Sequence, residues 1–200
     1  MITIIKSGYE KILTLFYKDK RAQLHLREIA RQTKLHEPSV TRFLRNLEHE
    51  HILKSKKDGN LKKYFIQHNK KTYSVLVVFD VARQEKLPEL RKNAVDRYIQ
   101  ALNEKPVFAL LFGSTAKETY TDESDIDILL VVNKKIKTEA AEQETQALTG
   151  MKVSTFQITY SDFIRELRLK DDKVVQSAIY SGYPVLNHIF YYEVLYNERI

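Results

Sequence analysis

Ile5, Tyr9, Ile12, Leu13 and Phe16 recur at helical spacing and predict a first helix over residues 4–17. Leu26, Ile29 and Ala30 mark a second, short one from Leu26 to about Thr33, followed by the turn Lys34-Leu35-His36. Glu37-Pro38 opens a third helix, because proline in a first turn lacks only an N–H that had no partner. In it Val40, Phe43, Leu44 and Leu47 fall at i, i+3, i+4 and i+7 and face inward. The opposite face shows Ser39, Thr41, Arg42, Arg45 and Asn46. The period then shortens to that of strands. Ile52–Lys57 and Leu61–Ile66 flank Asp58-Gly59-Asn60, a hairpin signal, since so tight a turn needs positive φ.

Residues 72–103 contain no glycine and one proline. The apolar run from Tyr73 to about Glu85 suits a strand by its β-branched content, but its length and the absence of a turn signal favour a helix. A second helix follows from Leu87-Pro88 to about Asn103, with Leu90, Ala94, Tyr98, Ile99 and Leu102 on one side. These two helices suit either a dimer interface or plain core packing. Pro106–Phe112 and Asp125–Val132 are continuous apolar runs of the kind that form strands buried on both faces. Between and after them the pattern predicts a helix at about 137–149 and a strand Lys152–Thr159. Helices Phe163–Leu169 and Asp172–Tyr180 come next, then a turn Ser181–Pro184 and a short strand Val185-Leu186. An aromatic terminal helix from His188 to Ile200 either packs on the two connecting helices or offers a partner surface.

Charge divides the chain. The 200 residues carry a formal net charge of +7. Residues 1–72 hold 17 Lys and Arg against 7 Asp and Glu, a balance of +10, whereas residues 73–200 hold 16 against 19, a balance of −3. A basic front end beside a mildly acidic remainder suggests a polyanion-binding module joined to something else. The absence of cysteine excludes disulfides, thiolate metal sites and a cysteine nucleophile. No run approaches the ~20 apolar residues that a membrane helix needs, and the N-terminus lacks a signal-peptide layout. A soluble, ordered, cytoplasmic protein with no membrane partner is expected.

Helix, helix–turn–helix and basic two-stranded ribbon together give the stretch Leu26-Arg-Glu-Ile-Ala-Arg…Pro38-Ser-Val-Thr-Arg-Phe-Leu-Arg-Asn-Leu-Glu…Ile52-Leu. Over residues 5–66 this resembles the winged helix-turn-helix domains of prokaryotic transcriptional regulators. One departure is His51, where such domains often place glycine. The resemblance implies that double-stranded DNA is read by Ser39, Thr41, Arg42 and Arg45 on the third helix. The wing would add Lys54, Lys56, Lys57, Lys62 and Lys63. Short hydroxyls and guanidinium groups on an exposed helix face are the groups that reach base edges and phosphates in a major groove.

The second half carries different chemistry. The first apolar strand ends at Gly113-Ser114, and ten residues later the second begins with Asp125-Ile-Asp127. Side chains two apart on a strand share a face, so the two carboxylates point one way and repel unless a cation lies between them. Hard oxygen donors suit Mg²⁺, which takes a few carboxylates together with substrate phosphates. Gly113 allows close backbone approach, Ser114 offers an N–H and a hydroxyl to a triphosphate, and Thr115-Ala-Lys117 would open a short helix whose amides favour an anion. The Gly-Ser-x10-Asp-x-Asp arrangement resembles the nucleotidyltransferase fold of the DNA polymerase β superfamily, in particular its minimal prokaryotic members, including antitoxin-type adenylyltransferases. The resemblance implies that Asp125 and Asp127 are the catalytic metal ligands, that Gly113, Ser114 and Lys117 bind a nucleoside triphosphate, and that Mg²⁺ is the metal.

Members of that superfamily which transfer nucleotides usually carry a third carboxylate on a later strand. Lys152–Thr159 contains no Asp or Glu, and the missing acid maps to Ser154 or Gln157. The whole is therefore expected to be an α+β protein of two domains. A winged helix over residues 1–70 and a helical linker or dimerisation segment over 71–104 would precede a small mixed-sheet nucleotidyltransferase-like domain flanked by helices over 105–200. One functional expectation is a DNA-binding regulator, a homodimer, whose second domain holds Mg-NTP with little turnover. The other is an active nucleotidyltransferase modifying a protein or small-molecule hydroxyl, in an antitoxin-like setting with a toxin-like partner.

Overall fold

The computed structural model describes residues 7–197, a mixed α and β chain with two separate sheets. Ile5 and the last three residues of the predicted terminal helix lie outside the described residues. The chain divides after Ala82 into two compact units.

The first unit contains α1 (Ser7–Lys18), β1 (Leu24–His25), α2 (Leu26–Thr33), α3 (Glu37–His49), β2 (Leu53–Asp58), β3 (Leu61–Ile66) and most of α4 (Lys70–Gln84). Ile12, Phe16, Ile29, Val40, Leu44 and Leu47, from the predicted apolar stripes, are all buried. Phe43 is only half-buried, with its ring edge-on to Tyr9 at 4.6 Å. The α2–α3 turn is made by Lys34, whose left-handed backbone (φ 56°) lets its N–H reach Ala30 O. His51 is likewise left-handed, at φ 57°, so it occupies the conformation that glycine tolerates best. The hairpin loop proper is Gly59-Asn60, with Asp58 paired to Leu61 inside the ladder, one residue later than an Asp-Gly turn. β1 did not show in the pattern; its two residues pair antiparallel with β3 and complete a sheet of order β1-β3-β2. The Tyr73–Glu85 run is helical, as its length suggested. Tyr17 stacks on Phe79 at 5.0 Å and donates from its hydroxyl to buried Asp80 at 2.7 Å.

The second unit contains α5 (Glu89–Ala101), β4 (Phe108–Phe112), α6 (Gly113–Lys117), β5 (Ile126–Val132), α7 (Glu139–Thr149), β6 (Val153–Thr159), α8 (Tyr160–Leu169), α9 (Lys173–Ser181), β7 (Tyr183–Leu186) and α10 (His188–Asn197). Its sheet has the order β6-β5-β4-β7; β4 is antiparallel to both neighbours, and β5 and β6 are parallel, joined across α7. One face carries Ala109, Leu111, Ile126, Ile128, Leu130 and Val153 into a core with Ala94, Val95 and Tyr98 of α5 and Ala141 of α7. Leu90, expected inward, is 59% exposed. The other face meets α8 and α10 through Phe108, whose ring lies 5.1 Å from Phe163 and 5.5 Å from Tyr191. α10 therefore packs on the sheet through Tyr191, with Tyr192 buried beside it. α8 begins before the predicted Phe163 and is capped by Thr159, whose hydroxyl accepts from Asp162 N at 3.2 Å. β7 begins at Tyr183, earlier than expected, and tolerates Pro184 because it is an edge strand. No helix among the described residues is long and apolar enough to cross a membrane.

Candidate functional site

Two sets of residues carry chemistry, one in each unit. On α3, Arg42 and Arg45 are exposed and share a side, with Ser39 and Thr41 half-buried beside them. Thr41 donates back to Glu37 O at 2.9 Å, and Asn46 donates to the Tyr9 hydroxyl at 2.7 Å, which leaves the two arginines as the outward groups of this face. In the hairpin, Lys56 stands directly opposite Lys63, and Lys57 opposite Lys62. Like charges facing each other across a ladder destabilise it, so two such pairs in a two-residue-loop hairpin are poor choices for the fold alone. Asp58 offsets part of the repulsion, accepting Lys63 Nζ at 2.8 Å with His25 Nε2 at 3.3 Å. These partners, Lys63 first, hold the Asp58 carboxyl below its usual range. Lys54 and Lys56 lie over the Phe65 ring, at 5.1 and 5.9 Å from its centroid.

In the second unit, alternation along β5 sends Ile126 and Ile128 into the core beneath α5 and places Asp127 on the opposite face. Asp125 immediately precedes the strand, two positions from Asp127. Gly113 approaches Asp127 so closely that a Cβ built there would lie 1.9 Å from its Oδ2; Gly113 is also at φ 67°. The turn between strand and helix thus requires glycine twice over, once for its backbone and once for the carboxylate it abuts. Ser114 is half-buried, and its carbonyl accepts the Thr119 N–H at 3.0 Å. Lys117 is exposed at the end of α6. That helix is five residues long, a single turn closed by left-handed Glu118, and so lacks the length to develop a macrodipole toward an anion.

The parallel register decides between the two positions open for a third acid. Asp127 stands opposite Ser154, whereas Gln157 lies on the other face of β6 and holds both backbone groups of Ile136, at 3.1 and 3.0 Å. Ser154 donates to Asp125 Oδ2 at 2.8 Å, and Lys152 Nζ reaches the same oxygen at 2.7 Å. The two aspartates consequently differ. Lys152 and Ser154 hold the Asp125 carboxyl below its ordinary value, while burial, reinforced by the charge of Asp125, pushes the Asp127 carboxyl up.

Arg91 is a buried residue beside the candidate site that the sequence pattern hid. It is 3% exposed, and its guanidinium donates to Thr115 Oγ1 at 3.0 Å, Thr121 O at 2.7 Å and Ser124 O at 3.0 Å, while lying 4.2 Å over the Tyr120 ring. It ties α6 to the loop that delivers Asp125. The signal was its place in line with Ala94, Val95 and Tyr98 on the buried stripe of α5. Arg91→Leu is expected to cost about 2–3 kcal/mol, because two carbonyls and a hydroxyl lose their donor in a buried place. Denaturant unfolding measures the loss; a cost well under about 1 kcal/mol would mean that solvent replaces these bonds freely.

The donors present fit one hard divalent ion at Asp125 and Asp127, since Mg²⁺ is commonly held by one or two carboxylates plus substrate phosphates. They do not make a three-carboxylate set: among the described residues no three His, Cys, Asp or Glu side chains converge.

A comparison with curated proteins gives no match. Among solved structures, the chain aligns with one described as "Structure of TrmBL2, an archaeal chromatin protein, shows a novel mode of DNA binding", at 17% identity over 86% of this chain and 70% of that one. The TM-score is 0.26, a similarity that assigns neither fold nor function. Residues 94–188 match the family model described as "Polymerase beta, Nucleotidyltransferase", a span that contains Gly113, Ser114, Asp125, Asp127 and Ser154 and supports a nucleotidyltransferase domain there.

Proposed function

We propose that this is a duplex-DNA-binding protein of winged-helix type whose second unit binds a nucleoside triphosphate and transfers its nucleoside monophosphate group, with pyrophosphate leaving, poorly or not at all. The observation that carries the nucleotide half is the pairing of Asp127 with Ser154, which puts a hydroxyl where a third carboxylate would complete a transferase site. Asp125 and Asp127 would hold Mg²⁺, which when bound neutralises phosphate charge. Ser114 would face the phosphates from the turn, and Gly113 lets that turn approach Asp127. Asp125 Oδ2 already accepts from Lys152 and Ser154, which makes that oxygen a poor acceptor for the proton of an attacking hydroxyl.

The DNA half rests on the exposed arginines of α3 and the facing lysines of the hairpin, a concentration of positive charge that favours a polyanion. α3 would lie in a major groove with Arg42 and Arg45 toward the bases and phosphates, and Lys54, Lys56, Lys57, Lys62 and Lys63 would follow the backbone.

Equilibrium binding of a fluorescent ATP analogue with Mg²⁺ tests the nucleotide half. Asp127→Asn is expected to weaken binding at least tenfold, roughly the loss of one ion-mediated contact. Equal affinity in the variant would remove the site from this pair of strands. A second reading, transfer of a nucleotide to a hydroxyl, is favoured by the family match over residues 94–188. Incubation with labelled NTP, Mg²⁺ and lysate distinguishes it: a labelled product that disappears in Asp127→Asn would replace the binding reading with the enzymatic one.

A further inference from the structure

We propose that Lys152 is a built-in cation of the nucleotide site, its ammonium supplying positive charge against the triphosphate in place of a second metal ion. The inference deepens the nucleotide-binding reading and rests on it. Lys152 Nζ lies 2.7 Å from Asp125 Oδ2, and Ser154 Oγ donates to that same oxygen at 2.8 Å. Ser154 on β6 brings a neutral hydroxyl to Asp125, and Lys152 two residues before it adds a positive charge. With three carboxylates the local charge would be −3; two aspartates and Lys152 make it −1. A divalent ion is drawn less strongly to such a set, and a polyphosphate is repelled less.

The fold has little need of this ion pair. The Lys152 side chain is 63% exposed and that of Asp125 31%, so water competes for both partners and screens the attraction. The pair is placed for a ligand instead. Val153 anchors β6 in the core and fixes the register, which presents Lys152 and Ser154 to Asp125 from the neighbouring strand. A fixed ammonium needs no recruitment from solution, so part of the affinity for nucleotide persists when divalent ions are removed. The site then takes one metal ion with its nucleotide rather than two.

The test uses the full chain with two probes, Mn²⁺ followed by electron paramagnetic resonance and a fluorescent ATP analogue titrated with Mg²⁺ or with EDTA. The variants are Lys152→Met, which keeps the aliphatic stem, and Lys152→Met combined with Ser154→Asp. In the unaltered protein, EDTA is expected to weaken nucleotide binding by no more than about tenfold, with a single Mn²⁺ bound per chain in the presence of nucleotide. Lys152→Met should raise the affinity of the nucleotide-free protein for Mn²⁺ about tenfold and remove nucleotide binding in EDTA, and the double variant should take a second Mn²⁺. Unchanged Mn²⁺ affinity in Lys152→Met overturns the inference. So does an equal loss of nucleotide affinity with and without divalent ion, which would make Lys152 an ordinary phosphate contact. If the unaltered protein binds no nucleotide under either condition, the nucleotide-binding reading itself falls, and this inference falls with it. Because Lys152 is exposed, its variant retains the fold, and thermal melting of the double variant confirms that Ser154→Asp is accommodated.

Discussion

Raising monovalent salt about fourfold should lower duplex-DNA affinity by roughly two to three orders of magnitude. The figure follows if about five of the seven cations on α3 and the hairpin neutralise phosphates, each adding ~0.9 to the slope of log affinity against log salt. Arg42→Ala combined with Arg45→Ala should weaken binding by at least about 30-fold at fixed salt, since guanidinium groups reaching base edges or phosphates contribute about 1–3 kcal/mol each to recognition. Fluorescence anisotropy on labelled duplexes measures both. A flat salt series would remove the DNA-binding half of the proposal, whatever the shape of the first unit. A steep slope with an unaffected double variant would move the contact surface from α3 to the lysines of the hairpin.

Gly113→Ala should be strongly damaging for so small a change, a single added methyl. The new Cβ would sit 1.9 Å from Asp127 Oδ2 and 2.8 Å from its Cγ, at a backbone angle of φ 67° that L side chains rarely adopt. Relief requires either Asp127 to leave its rotamer or the turn into α6 to open. A cost of about 3 kcal/mol is expected, the sum of the left-handed backbone penalty and a buried overlap. Loss of nucleotide binding should accompany it. Gly150 supplies the internal control: it has φ 71° with nothing within 4 Å of its Cβ position, so Gly150→Ala reports the backbone penalty alone, about 1 kcal/mol. If the two substitutions cost the same, the contact between Gly113 and Asp127 has no energetic weight.

The helices were legible because their apolar residues fall on one stripe. The bounds of α2 and α3 follow directly from that stripe and from Pro38. The two central strands were legible for the opposite reason: β4 is buried along its whole length, and its residues are apolar without alternation. Short elements left less trace. β1 spans two residues and exists through its pairing with β3, a tertiary fact that no local pattern records. Leu90 fits the stripe of α5 yet is exposed, because Arg91 takes the buried place beside it and satisfies its donors on the loop that precedes Asp125.

At the candidate site, Gly113, Asp125 and Asp127 stand out because each lies at the end of a buried apolar run, at fixed spacing. Lys152 and Ser154 do not. Their importance depends on the register of a parallel pair, and alternation along β6 leaves that register undetermined. His51 is an instructive intermediate case: its departure from glycine was visible in the chain, and the positive φ shows that the conformation persists with a side chain that suits it less.

The parallel pairing of β5 and β6 has a consequence for how the site comes into being. Asp127 and Ser154 are separated by 27 positions in the chain and meet only once α7 has crossed over and laid β6 alongside β5. Such a contact brings no reward until a long loop has closed, so it belongs to the slow, non-local part of folding. A nascent or partly opened chain therefore presents two carboxylates with Asp125 lacking its lysine and hydroxyl partners, and the reduced negative charge where β5 meets β6 is a property of the finished topology alone.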